Sequence, residues 1–282
     1  LSNVSQPSHY TEANYYIAYC YDTQKEYNNA VKHYGNVIDR PNNKFIEEAL
    51  FRSSQINFYV LEDYNAALSN FNSLEKITSN SERIRASIIG QMYCFDELNN
   101  FEFASEYAKK TYKLQDSDAY YIHAKSNFEL KDYEKSEASF DKLIELTKDV
   151  RSGEALYHLA LFRYLEENYT ESEEACQRVV KQKPGYNYWI AKAIILLSDN
   201  FVAQEDYFNA KHSLQSIIDN YKGDDDIVRT AEEKLQIVIE LENEQQIQQD
   251  NLQNEESNID FMIDDLDDIN LFIEEDENID NK

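Results

Sequence analysis

The sequence predicts an all-α protein built from repeated helical hairpins, and three observations predict it. Breakers are scarce: 282 residues hold 5 glycines and 3 prolines, which suits long helices with short joints better than a sheet with many turns. Apolar residues make up 42% of the chain, enough for a packed core. One short phrase returns six times, led by an aromatic residue at Tyr27, Tyr64, Phe101, Tyr133, Tyr169 and Tyr207.

The phrase is an aromatic, two residues, a small residue, and usually an aromatic or apolar residue four later. It reads Tyr27, Ala30, Tyr34; then Tyr64, Ala67, Phe71; then Phe101, Ala104, Ala108. It continues as Tyr133, Ser136, Phe140; Tyr169, Ser172, Cys176; and Tyr207, Ala210, Leu214. The leading aromatics stand 37, 37, 32, 36 and 38 residues apart. An apolar helical stretch precedes each phrase, usually with its own small residue twelve positions before the phrase's: Ala18, Ala124, Ala160 and Ser198. In repeats two and three the strict offset falls on Gln55 and Met92. Ser54 or Gly90 takes the role there if the turn holds an extra residue or two. A small residue on each of two antiparallel helices lets them approach closely, and the turn aromatic packs over the pair. One hairpin cannot bury its apolar face alone, so neighbours must stack.

This pattern resembles the tetratricopeptide repeat (TPR) family, whose unit of about 34 residues is a helix–turn–helix. Repeat five matches with Ala160, Tyr169, Ser172, Cys176 and Pro184; repeat one with Ala18, Tyr21, Tyr27, Ala30 and Tyr34, Pro41 falling one place early. The long, irregular, Tyr-rich repeats look like bacterial examples. The resemblance implies a right-handed α-solenoid of about six TPR-like repeats over 11–222, after a lead-in at 1–10. The first (A) helices are expected near 12–23, 47–60, 82–97, 118–130, 153–166 and 188–203. The second (B) helices are expected near 25–38, 63–77, 100–113, 132–147, 168–182 and 205–220. Residues 223–248 carry a helical stripe of Ile227, Ala231, Leu235, Ile237, Val238 and Leu241 and read as a capping helix over the last groove. Residue 1 is Leu with no basic n-region or apolar h-region after it, so the sequence reads as a mature form or as the C-terminal part of something longer, and the lack of a comparable cap at the N-terminus fits missing earlier repeats.

Residues 249–282 read as an acidic, disordered tail. Residues 251–282 hold twelve acids and one lysine, a net −11, and segments this acidic resist folding. Within them Ile259, Met262, Leu266, Ile269 and Ile273 fall three and four apart, with Phe261 and Phe272 beside them. Two readings stay open: mutual repulsion keeps the segment unfolded, or the stripe folds as an amphipathic helix in a partner's groove.

The formal charge is −27 with 54 acids against 27 bases. Binding phosphate needs a basic face, so a nucleic-acid partner is not expected. No stretch approaches the roughly 18 to 20 apolar residues of a membrane helix. Cys20, Cys94 and Cys176 are odd in number and far apart, which fits buried small hydrophobes and neither a disulfide framework nor a zinc site. His9, His33, His123, His158 and His212 form no metal-binding spacing, and His123 and His158 read as satisfied, partly buried side chains. No phosphate loop, nucleophile elbow or calcium loop occurs. The chain is therefore expected to be no enzyme and to use no cofactor, metal or small-molecule substrate.

The resemblance also places a binding surface. In the family the A helices line the concave face. Carried over, that gives Tyr15 and Tyr19, Arg52 and Ile56, Tyr93, Tyr121 and Lys125, then Tyr157, Leu161 and Tyr164. Tyrosine suits recognition, joining contact area to a polar tip; it is also an ordinary packing residue of such repeats. The Lys/Asn/Arg clamp by which some members hold acidic chaperone tails is missing, since Lys125 has no matching Asn or Lys. The resulting expectation is a non-catalytic scaffold that holds a peptide or partner helix. Alternatives are an assembly factor of the bacterial cell envelope and the regulatory repeat region of a longer protein. Three separate cysteines favour a reducing cytoplasm, while the resemblance to bacterial envelope proteins slightly favours the periplasm or cell envelope.

Overall fold

A computed structural model describes residues 7–112, 116–223 and 225–277, with side chains described for 9–112, 116–223 and 225–252. Helices α1 (Pro7–Thr23), α3 (Ile46–Tyr59), α5 (Ser81–Glu97), α7 (Ser117–Glu129), α9 (Val150–Leu165) and α11 (Asn187–Ala203) are the A helices. The B helices are α2 (Tyr27–Ile38), α4 (Tyr64–Ile77), α6 (Phe101–Thr111), α8 (Tyr133–Leu146), α10 (Tyr169–Lys181) and α12 (Tyr207–Asn220). A long α13 (Ile227–Glu277) follows, and no described residue lies in a strand. The chain divides into two compact units, Leu1–Phe162 and Arg163–Lys282.

Each leading aromatic is the first residue of a B helix, and one left-handed residue marks the turn before it in all six repeats. The residue two places ahead of the aromatic is left-handed: Lys25, Glu62, Asn99, Lys131, Glu167 and Glu205, with φ between 53° and 61°. The next N–H closes back on an A-helix carbonyl five residues earlier. Glu26 donates to Tyr21 at 2.9 Å, Asn100 to Phe95 at 2.8 Å, Asp132 to Asn127 at 2.8 Å and Asp206 to Phe201 at 2.8 Å. Asp63, Asp132 and Asp206 also cap their B helices, accepting from Ala66, Lys135 and Asn209 backbone N–H, which satisfies donors a helix start otherwise leaves open.

Left-handed backbone is costly for any residue with a Cβ, by about 1–2 kcal/mol, and glycine avoids this at an entropic cost of its own. Lys131 is exposed, with φ 60°. Lys131→Gly is therefore expected to stabilise the protein by about 0.5–1 kcal/mol. A rise in the urea midpoint checks this; an unchanged or lower midpoint would show that the turn is not strained.

Repeat two departs from the rule. Its Asp63 N–H reaches the Asn57 carbonyl at 2.9 Å, six residues back, so the turn holds one extra residue. The register of α3 shifts accordingly, and Ser54, fully buried, is its small residue. Repeat three keeps the ordinary turn, and Met92 itself sits at the crossing, fully buried. Gly90 is small for another reason: a Cβ there would stand 2.5 Å from the ring of Phe71 on α4.

Small residues close the hairpins as the sequence implies. Ala18 and Ala30 share a buried cluster with Tyr34 and Val37, and the Ser136 hydroxyl donates to the Ala124 carbonyl at 2.7 Å, straight across the α7–α8 crossing. In the second unit, Ile227, Ala231 and Val238 of α13 pack with Ala191, Ile195, Leu214 and Ile217 of α11 and α12. Lys234 pairs with Asp199 at 2.6 Å, and Gln245 donates to Glu205 at 3.0 Å. Of the expected capping stripe, Ile237 points outward, 55% exposed. The helix continues past residue 248, where the sequence reading ended the cap. The side chains of Ile259, Met262, Leu266, Ile269 and Ile273 lie outside the described residues.

Candidate functional site: the A-helix face of the first unit

In the first unit the A-helix face is read off in the register the turns set. Tyr15 is half-buried and stacks on Phe45 with centroids 4.5 Å apart; Tyr19 is 53% exposed. On α3 the extra turn residue moves the pattern by one. Gln55 occupies the place read as Ile56, which is buried at 3%, and Phe51 the place read as Arg52. Arg52 instead reaches back to α1 and donates to Asp22 through Nε at 3.0 Å and a terminal nitrogen at 2.6 Å. The Tyr34 hydroxyl reaches the same carboxylate at 3.4 Å.

Farther along, tyrosines alternate with carboxylates. The Tyr93 hydroxyl on α5 donates to Asp118 on α7. Tyr121 on α7 donates to Glu154 on α9 at 2.8 Å. Lys125 lies over the Tyr121 ring, 5.2 Å from its centroid, an attractive cation–π placement. Arg151 pairs with Asp118 and with Asp149. Tyr157 meets His158 edge-on at 5.4 Å, and Leu161 is half-buried. Tyr164 belongs to the second unit, where it lies 5.8 Å from Tyr169.

The charges on this face differ in how they are held. Burial raises the Asp96 carboxyl above its ordinary range, with Lys125 pulling it down and Glu97 pushing it up. Burial likewise raises Glu154 against the pull of the Tyr121 hydrogen bond and Lys125. Asp118 goes the other way: burial pushes it up, but hydrogen bonds from Tyr93 and Arg151 outweigh that and hold it low. Asp118 is thus a satisfied structural anion, whereas Asp96 and Glu154 are under-compensated. Burial also raises the hydroxyls of Tyr93 and Tyr121, which stay protonated donors.

Sequence reasoning missed Asp96, Asp118, Glu154 and Tyr59, the last 69% exposed on this face. The signal was present in the repeat register, because acids recur near the start and end of the A helices. Among the described residues no group of three or more His, Cys, Asp or Glu could hold a metal ion, and no described helix is long and apolar enough to cross a membrane.

Two tetratricopeptide repeat models match the sequence, one over residues 12–43 and one over 117–150. These are the hairpins α1–α2 and α7–α8, repeats one and four of the structure. The chain carries tetratricopeptide repeats. Among solved structures the TPR chain is similar to a tetratricopeptide repeat protein from Parabacteroides merdae, at 15% identity over 82% of this chain and 99% of that one, TM-score 0.49. A thermophilic TPR protein of Thermus thermophilus aligns at 14% identity over 67% and 98%, TM-score 0.42. The TPR2AB domain of yeast Sti1, solved in complex with pHSP90, aligns at 14% identity over 84% and 96%, TM-score 0.30. No curated protein matches the chain. The tetratricopeptide repeats make this chain a protein–protein interaction scaffold.

Proposed function

We propose that the A-helix face of the first unit, the face the family resemblance makes concave, holds a peptide or partner helix and selects one carrying Lys or Arg beside an apolar residue. One observation supports this reading: a run of tyrosines alternating with Asp96 and Glu154, two carboxylates that burial holds above their ordinary range. A cationic side chain from a partner offsets that burial, and the exposed rings of Tyr19 and Tyr59 supply flat contact area. Arg151 cannot do this from within, being committed to Asp118 and Asp149. The proposed scaffold is non-catalytic, and the acidic segment after residue 249 is a second contact or a shield against unwanted acidic partners.

Peptides selected from a displayed random library on the full chain test this. Enrichment of Lys or Arg next to an apolar residue is expected. Tyr19→Ala with Tyr59→Ala should weaken the selected peptide about tenfold, the loss typical of an interface aromatic, without changing stability, since both rings are exposed. Glu154→Gln should weaken it and flatten its salt dependence. Binding should survive truncation after Gln249. Peptides that ignore all these variants, or that are lost with the tail, would sink the proposal.

A further inference from the structure

Two cations flank the Tyr121 ring of α7, and they are held differently. The Arg151 guanidinium carbon stands 5.8 Å from the ring centroid, and its nitrogens are committed to Asp118 and Asp149. The Lys125 ammonium stands 5.2 Å from the same centroid and closes no ion pair among the described residues. A long helical side chain leans towards the start of its helix, onto the residue four before it, which puts Lys125 over Tyr121. There it lies between an acid of the preceding A helix and one of the next. Burial raises both Asp96 on α5 and Glu154 on α9, and Lys125 draws each down without cancelling the rise. Glu154 accepts one hydrogen bond, from the Tyr121 hydroxyl at 2.8 Å; among the described residues Asp96 accepts none on its carboxylate. All four side chains are half-buried, so the group is open to solvent and to a partner.

We propose that Lys125 is a resident placeholder in an arginine seat, a step that rests on this face being the cation-selecting surface proposed above. It holds the position over Tyr121, between Asp96 and Glu154, that a partner's guanidinium takes, and it swings out to solvent when the partner binds. The seat suits a guanidinium better than an ammonium. A planar guanidinium stacks on an aromatic ring and sends paired N–H donors to a carboxylate, whereas an ammonium is a strongly hydrated point charge. Asp96, with no donor on its carboxylate, is the acid left to receive that pair. Displacement is favoured over addition because Lys125 and Arg151 already stand beside the ring, and a third cation meets the repulsion of both unless one leaves. Lys125 is the one that leaves, having no ion pair to break and a flexible stem that water receives readily. A partner's lysine would replace like with like and gain little. The resident lysine thus sets a threshold that arginine passes and lysine does not.

The test takes the full chain and the display-selected peptide, made with arginine or with lysine at its basic position and titrated by fluorescence anisotropy. Wild type should bind the arginine version more tightly. Lys125→Met and Lys125→Gln should each tighten both versions by roughly three- to tenfold, the lysine version more. A folding defect does not produce tighter binding, and two variants guard against one that fails to fold. Lys131→Met removes the same charge from an exposed turn residue and should change affinity much less. Without peptide, a carboxyl-carbon NMR titration of Lys125→Met should show both Asp96 and Glu154 ionising at higher pH than in wild type. Equal binding of the two peptide versions by wild type overturns the proposal. So does unchanged or weaker binding in both Lys125 variants, an equal gain in Lys131→Met, or a shift of one carboxyl alone. A library with no enrichment of basic residues sinks the partner surface and the placeholder together; enrichment without a gain in the Lys125 variants sinks the placeholder alone.

Discussion

Phe140→Ala should destabilise the first unit by about 3–5 kcal/mol, the range for truncating a fully buried phenylalanine. Phe140 is fully buried on α8. It stacks on the His158 ring of α9 at 4.8 Å, with the planes 15° apart, and lies 6.4 Å from Phe162. The ring thus joins one hairpin to the next, and its loss leaves a cavity between two rigid helices that cannot collapse to fill it. In a repeat array each hairpin contacts only its neighbours, so damage spreads by contact and fades with distance. Amide hydrogen exchange should accordingly quicken in α7, α8 and the part of α9 before Arg163, and much less in α1 and α2. Phe140→Leu, which keeps most of the volume, should cost only about 1 kcal/mol. Uniform loss of protection from α1 to α8 would show that the unit unfolds as one block.

Acid should weaken the fold through His123. This side chain is 3% exposed, with Nδ1 2.7 Å from the Ser139 hydroxyl, Tyr112 edge-on at 5.3 Å and a buried Nε2 that has no hydrogen-bond partner among the described residues. Burial first, then Lys109 and Lys135, push its pKa from 6.5 down to about 4, against a smaller upward pull from Asp132. Between those two values the unfolded chain binds a proton that the fold refuses. Stability is therefore whole above pH 6.5 and declines as pH falls towards 4, by at most about 3 kcal/mol at 1.36 kcal/mol per unit. Burial-raised Asp96, Glu154 and Asp199 pull the other way in acid, so the contrast with a variant is what counts. His123→Gln keeps a polar group near Ser139 and does not titrate. Urea midpoints from pH 7 to pH 4 should fall less in His123→Gln than in wild type; equal slopes would place the acid sensitivity elsewhere.

The repeat was legible in the sequence because its physics is local. An aromatic at the head of each B helix and a small residue one turn inside it are demands of a single hairpin, so they recur at fixed offsets and can be counted. The left-handed residue in each turn was not legible, because Lys, Glu and Asn occupy those sites in place of glycine. The candidate site was legible only in its tyrosines. Tyr93 and Tyr121 were singled out from motif position, but the carboxylates they bond, Asp118 and Glu154, belong to the next repeat, 25 and 33 residues away. Arg52 and Ile56 went astray because one added turn residue shifts every later offset by one while leaving the composition of the helix unchanged. His123 was read as satisfied, and only the packing reveals that one of its nitrogens is not.

By itself, then, the sequence determined the helical class, the count of hairpins, the residues that let paired helices touch and the overwhelming negative charge, since each depends on neighbours within one turn or one hairpin. The tertiary structure alone decided which side of each helix is covered and which carboxylates are left under-compensated. Those properties depend on what the adjacent repeat brings, and burial is a relation between segments that no single segment encodes.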